Sequence, residues 1–236
     1  MREAGRITAL ALDAVARTVA PGVTTGEIDA VAENVIVSHG ARPAFKGYHG
    51  FPATLCTSVD GEVVHGIPGS RVLRSGEIVS VDCGAIVGGF YGDSARTFAV
   101  GEVSAEARRL MEITAKALEA GIAQCIPGMR LHDVSAAVQA VAEGAGFSVV
   151  REYVGHGIGR AMHEEPQVPN YGRAGTGPTL KAGMVLAIEP MINAGTPDVR
   201  TLEDGWTVVT VDGCLSAHFE HTVAVMEEGP LVLTLP

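Results

Sequence analysis

Leu73-Arg74-Ser75-Gly76-Glu77-Ile78-Val79-Ser80-Val81-Asp82 decides the fold, because its pattern returns later in the chain. Leu180-Lys181-Ala182-Gly183-Met184-Val185-Leu186-Ala187-Ile188-Glu189 repeats it 107 residues on: a basic residue after leucine, a glycine, an apolar strand and a closing carboxylate. A second pair of segments recurs at almost the same spacing of 106 residues. Pro21-Gly22-Val23-Thr24-Thr25-Gly26-Glu27-Ile28 is answered by Pro127-Gly128-Met129-Arg130-Leu131-His132-Asp133-Val134. Generic Pro-Gly caps and buried strands would not share an acid at the same place. The spacing predicts internal duplication, with residues 1–236 forming one domain of two related halves, about 1–101 and 102–236.

Each half reads as helices followed by sheet. Residues 5–20 place Ile7, Leu10, Ala11, Ala14 and Val15 on one helical face. Thr24 with Glu27 forms a capping-box pattern ahead of Ile28, Val31, Ala32 and Val35. Ser104 is placed as the N-cap of a helix carrying Ala107, Leu110, Met111, Thr114 and Leu118, and another helix runs from about Leu131 to Ala145. Strands are expected near 53–59, 78–100, 185–192 and 206–227. Grouped helices and antiparallel hairpins predict an α+β fold with helices on one face of a curved sheet. No Pro-, Gly- or Ser-rich linker separates the halves, so they are expected to share that sheet. The Gly/Pro-rich stretch 172–178 reads as a surface loop.

The bulk chemistry narrows the function classes. The chain has 236 residues, 47% hydrophobic and 19% charged, enough for a substantial core. A formal net charge of −10 argues against nucleic acid as a partner, since phosphate binding needs a basic face. No apolar run reaches the roughly 18 residues of a membrane span. The first residues enter an amphipathic pattern without a signal-peptide layout. Cys56, Cys83, Cys125 and Cys214 are scattered with no CxxC pair, so neither a disulfide framework nor a zinc cluster is expected, and a reducing, cytoplasmic setting is.

Four acids stand out. Asp82 closes an apolar strand, and Gly88-Gly89 is a two-residue hairpin signal. With those glycines in the turn, Val87 faces Phe90 and Asp93 lies opposite Gly84. Alternation then puts Asp82 and Asp93 on one face as diagonal neighbours about 7–8 Å apart at the backbone. Glu189 repeats Asp82 in the second half, and Glu220 is expected on the outgoing arm of a hairpin turning at Asp212-Gly213. A single strand-end acid is usually a solvated residue. Four that converge must raise their pKa values, stay solvated or bind cations, and about two divalent ions would balance them. Oxygen-rich ligation favours Mn²⁺, Fe²⁺ or Co²⁺ over a thiolate-type zinc site.

The histidines are less decisive on local chemistry. His156 sits in a glycine-flanked turn, Gly155-His156-Gly157, that lets it approach a ligand closely. His65 is ambiguous. His163-Glu164-Glu165-Pro166 is not a zincin helix, since no second histidine follows at the right spacing and Pro166 would break the helix. His218 and His221 flank Glu220 and are read as supports behind the ligands or as structural residues.

Taken together these motifs are recognisable. Val63-Val64-His65-Gly66-Ile67-Pro68, Val81-Asp82-Cys83-Gly84, Tyr91-Gly92-Asp93-Ser94, Gly155-His156-Gly157-Ile158-Gly159-Arg160, His163-Glu164-Glu165-Pro166, Ile188-Glu189-Pro190 and Phe219-Glu220-His221-Thr222 resemble the type I methionine aminopeptidases. The resemblance runs from about Arg2 to near the C-terminus. It implies the duplicated pita-bread fold, with a pseudo-twofold and a dinuclear centre of cobalt, manganese, iron(II) or zinc. By that likeness Asp82 and Asp93 hold one ion, His156 and Glu189 complete the other, and Asp93 and Glu220 bridge. The implied reaction removes the initiator methionine from nascent chains when the next residue is small. Glu189 matches the proton shuttle, and His65 and His163 match substrate-side histidines that orient the peptide carbonyl.

The likeness also assigns a methionine pocket to Tyr48, Phe51, Met162, Trp206 and Phe45, with three departures. Phe51 stands where tyrosine is common, Met162 where phenylalanine is, and Phe45 where a smaller residue, often cysteine, is. The N-terminal extension of some relatives, with its docking segment for a ribosome or zinc module, is not expected. The implied partners are nascent polypeptide N-termini, with transient ribosome contact, no membrane and a monomeric protein. Competing readings are a proline-directed peptidase of the same fold, which usually carries a further N-terminal domain, an inactive binding module, which typically loses ligands, and a calcium or magnesium binder. Hard-cation sites rarely recruit imidazole, which weighs against the last.

Overall fold

The computed structural model describes residues Met1–Pro236. Four helices, α1 (Arg2–Thr18), α2 (Thr25–Ser38), α3 (Ala105–Ile122) and α4 (Leu131–Gly144), alternate as pairs with antiparallel strands. Helix α2 starts at the expected box: Thr24 Oγ1 accepts from the Glu27 amide at 3.2 Å, and Glu27 returns an acceptor to the Thr24 amide at 2.7 Å. Helix α3 is capped by Ser104, and the Asp133 carboxylate takes the Arg130 amide at the start of α4.

The central hairpin pairs Ile78–Val87 with Phe90–Ala99 in the expected register, Val87 opposite Phe90 and Gly84 opposite Asp93. Both turn glycines have positive φ, 57° and 78°, as a type I′ turn requires. Alternation along Ile78–Val87 sorts its two faces. Val79, Val81, Cys83 and Ala85 join Ile7, Leu12, Val15, Ile28 and Ile36 of α1 and α2 in one core. Ser80, Asp82 and Gly84 face the other way, where Ser80 and Thr97 share a 2.8 Å hydrogen bond. One face of a single strand therefore builds core while the other builds a site.

The second half repeats the contacts that lead into this strand. Gly22 donates to Leu73 and Leu73 to Val23, just as Gly128 donates to Leu180 and Leu180 to Met129. Isolated bridges join Thr24 to Val72 and Arg130 to Thr179. The Gly/Pro-rich loop 172–178 is thus the counterpart of the segment leading into Leu73, anchored on α4 through the His132–Thr176 contact and the Gly175 amide on Asp133.

Three expectations need correction. The halves do not share one continuous sheet: their strands lie in four antiparallel sheets of four, three, three and five strands, and a ladder joins the halves only where Glu62–Val64 pairs with Val208–Thr210. The seam between them is crossed by the Glu220 amide on the Ala95 carbonyl and by the hydroxyls of Ser94, Thr97 and Thr222. Second, Gly155–Gly157 is a strand, not a turn, paired with Val185–Ile188 and Glu164–Val168. Its glycines are needed because neighbouring backbone is too close: a Cβ on Gly155 would meet the Ala187 oxygen, and one on Gly157 the Glu165 oxygen, each at 2.3 Å.

Third, Asp212-Gly213 does not turn a hairpin that delivers Glu220. The strand before it, Val208–Thr210, pairs with Val199–Thr201 and Glu62–Val64, while the strand after it, Ser216–His218, pairs with Met191–Asn193. The expected strands 185–192 and 206–227 are accordingly interrupted. Pro190, with no N–H to give a ladder, separates Val185–Ile188 from Met191–Asn193, and Phe219-Glu220 separates Ser216–His218 from His221–Met226. Glu189 and Glu220 both occupy these gaps, where the chain passes from one sheet to the next.

Candidate metal centre

The hairpin face and the two gaps converge on a cavity of about 240 Å³ lined by all five expected ligands, Asp82, Asp93, His156, Glu189 and Glu220. Asp93, His156 and Glu220 are buried and offer one ligand atom each, all within 4.8 Å of one another. Glu189 Oε1 lies 3.5 Å from His156 Nε2, and Asp93 Oδ2 lies 3.9 Å from the same nitrogen. Asp82 stands beside Asp93 on the hairpin face and interacts with both Asp93 and Glu220.

Polar bookkeeping shows what the cluster lacks. Asp82 Oδ1, Asp93 Oδ1 and Glu220 Oε1 are buried without a hydrogen-bond partner, a costly state for a carboxylate unless a cation meets it. His156 is preset for the same purpose. Its Nδ1 lies 2.9 Å from the Gly157 carbonyl, which can only accept, so Nδ1 carries the proton and Nε2 turns its lone pair toward the acids. Carboxylate oxygens around one imidazole lone pair suit first-row divalent ions.

The electrostatics agree. Burial pushes Asp82 and Glu189 up to about 7, the nearby His218 and His156 respectively opposing the rise. Burial also raises Asp93 and Glu220 well above the carboxylate range; the charges of Asp82 and Glu189 add to both rises, and that of Asp93 adds to Glu220. The cavity histidines move the other way: burial lowers His65 to about 4, and lowers His156 and His163. These shifts set a stability profile for the chelated protein. Acids with raised pKa values leave the folded chain holding more protons than the unfolded one, so their contribution falls as pH rises through about 7. The lowered histidines act oppositely, with an effect that fades as pH rises past the ordinary histidine value of 6.5. From about pH 7 to about pH 8 the acids dominate, so melting in EDTA is expected to drop across that interval and Mn²⁺ to abolish most of the drop. A flat or rising melting temperature in EDTA would contradict this.

Every residue expected to meet substrate also lines the cavity: Phe45, Tyr48, Phe51, His65, Met162, His163 and Trp206. Their positions have local causes. His65 sits in the left-handed region at φ 61°, a strained state for a side-chain-bearing residue, after the strand Glu62–Val64. Its ring packs edge-on against Tyr153, centroids 5.6 Å apart. Glu164 accepts the amides of Arg160 and Ala161 at 2.7 and 2.8 Å, fixing the loop that carries Met162 and His163. Asp204 takes the Trp206 amide, and Trp206 stands edge-on to Phe51 at 5.1 Å.

His218 is buried with Nε2 3.6 Å from Glu189 Oε2, whereas His221 turns to Thr234 at 2.8 Å and stays out of the cavity. Two lining residues escape a sequence reading, His49 and Cys56. Cys56 is the register partner of Asp82, but that pairing joins strands separated by the loop and strand of 60–77, so no local pattern announces it.

Residues 1–227 match the family described as metallopeptidase family M24. The chain belongs to this family, among its methionine aminopeptidases. It is 55% identical to a methionine aminopeptidase of Clostridium perfringens over 235 residues, 100% of this chain and 94% of that one. Identity to methionine aminopeptidase 1 of Bacillus subtilis is 54%, covering 99% and 94% of the two chains. Among solved structures it superposes on the methionine aminopeptidase of Thermotoga maritima with a TM-score of 0.99 at 47% identity, covering 100% and 95%. The M24 pita-bread fold, α+β with duplicated halves, is therefore the fold of this chain.

Proposed function

We propose that the chain is a metal-dependent aminopeptidase that removes the initiator methionine from nascent polypeptides, preferring a small second residue. One observation carries the reading: the orphaned carboxylates and an apolar pocket open into the same cavity, in a chain more than half identical to methionine aminopeptidases. Asp82 and Asp93 would hold one ion, and His156 and Glu189 the other, with Asp93 and Glu220 shared. Two divalent ions held there, drawn from cobalt, manganese, iron(II) and zinc, would supply Lewis acidity toward a carbonyl and would acidify a water near neutral pH. Glu189, lining the cavity 3.5 Å from His156 Nε2, is placed to take a proton from the attacking water and return it to the departing amine. His65 and His163 donate to the scissile carbonyl and to the negative charge it gains. Phe45, Phe51, Met162, Trp206 and the Tyr48 ring enclose the methionine side chain.

The same reading treats residues 1–236 as one domain with halves of about 1–101 and 102–236, supported by their matching backbone bonds. It places the enzyme in the cytoplasm, in keeping with four unpaired cysteines, as a monomer in transient contact with the ribosome. No helix is long and apolar enough to cross a membrane. The deciding assay compares Met-Ala-Ser with X-Pro peptides under added Mn²⁺ or Co²⁺. Release of methionine from Met-Ala-Ser is expected, and preferential X-Pro cleavage would overturn the proposal.

A further inference from the structure

The Tyr48 hydroxyl lies 2.8 Å from His163 Nδ1, with ring centroids 5.5 Å apart, and both residues line the cavity. Which atom carries the shared proton follows from chemistry. A phenol keeps its proton near neutral pH. Its oxygen lone pair is delocalised into the ring, so it donates better than it accepts, whereas an unprotonated imidazole nitrogen is a good acceptor. The favoured arrangement is O–H donating to Nδ1. A neutral imidazole has one proton, so that proton must then sit on Nε2.

We propose that Tyr48 is a positioning residue that locks His163 in its Nε2–H tautomer, so that the ring offers a peptide carbonyl an N–H donor and no lone pair. This rests on the reading of His163 as a donor to the scissile carbonyl. It also explains how two imidazoles only 4.3 Å apart at their centroids take opposite tasks. His156 has its Nδ1 proton drawn to the Gly157 carbonyl and presents a lone pair to a cation. His163 has its Nδ1 lone pair covered by Tyr48 and presents a proton to substrate. Without the Tyr48 hydroxyl, His163 would be free to populate the other tautomer, whose bare Nε2 repels a carbonyl oxygen and competes for the ion. The aromatic ring at 48 serves the pocket, and its hydroxyl serves the histidine.

The test is Tyr48→Phe, which keeps the ring, read two ways. Long-range proton–nitrogen NMR on ¹⁵N-histidine protein loaded with diamagnetic Zn²⁺ should show His163 as Nε2–H in the unaltered chain and as a mixture in the variant. Kinetically, Tyr48→Phe should lower kcat for Met-Ala-Ser by about 10–100-fold, the usual loss when a group that orients an active-site residue is removed, with KM little changed. In a His163→Ala background the same change should have almost no effect. A His163 found as Nδ1–H, a tautomer unchanged in the variant, or an equal loss of kcat in the His163→Ala background each overturns the proposal. Unimpaired turnover by His163→Ala alone would instead remove the carbonyl-donor role on which it rests, and the NMR arm reads the tautomer regardless of turnover.

Discussion

Asp93→Ala is expected to lower kcat/KM for Met-Ala-Ser by about a thousandfold or more, equivalent to about 4 kcal/mol of transition-state stabilisation. It should also lower the metal content of the purified protein. Asp93 is the residue on which the cluster depends. It shares a 4.8 Å neighbourhood with His156 and Glu220, interacts with Asp82 across the hairpin face, and ends in a buried oxygen with no protein partner. The same substitution should have opposite effects on stability with and without ions. In EDTA it removes one of several mutually repelling buried acids, so the melting temperature is expected to rise. With Mn²⁺ it removes a proposed ligand, so the stabilisation by metal should shrink. Titration by calorimetry and melting curves reads both signs. Full turnover by Asp93→Ala after rigorous chelation would refute a dinuclear mechanism.

Gly157→Ala should be the second most damaging change, although it alters no ligand. A Cβ there would meet the Glu165 carbonyl oxygen at 2.3 Å and the Glu164 carbonyl oxygen at 2.9 Å, and neither can rotate away as a side chain could. The strand Gly155–Gly157 is pinned on its other edge by Val185–Ile188, so it has nowhere to retreat. The cost is expected to be about 3 kcal/mol or more, the upper end of overpacking in a close-packed interior. Relief by shifting the strand would move His156 and the Gly157 carbonyl that sets its tautomer. Activity should therefore fall along with thermal stability. A variant that melts like the unaltered protein and turns over normally would show that the strands can separate without disturbing the ligand.

Sequence reading succeeded where a local signal controls a local geometry. Gly88-Gly89 sets the turn, the turn sets the register, and the register alone brings Asp82 and Asp93 to one face. It failed at Glu220 for the complementary reason. Asp212-Gly213 is a sound turn signal, and Gly213 does take φ 75°, but a turn does not say which strands its arms will pair with. Those arms pair with Val199–Thr201 and Met191–Asn193 in two different sheets, and the first arm also with Glu62–Val64 of the other half, a choice of partners that the turn residues do not encode. His156 was misplaced for a related reason: its glycines answer to neighbouring strands and not to a bend in their own chain.

By itself, then, the sequence determined the duplication, the helix caps, the central hairpin and the identity of the acids, because each is written in spacing or in adjacent residues. The repeat of Leu73–Asp82 at Leu180–Glu189 was enough to predict two related halves, each closing a strand with a carboxylate. Only the tertiary structure decided that Glu189 and Glu220 sit in the gaps between sheets, that Cys56 and His49 reach the cavity, and that Tyr48 holds His163 by its Nδ1. Those contacts join residues far apart in the chain, 115 positions in the case of Tyr48 and His163. Their geometry comes from how the two packed halves meet, which local spacing does not encode.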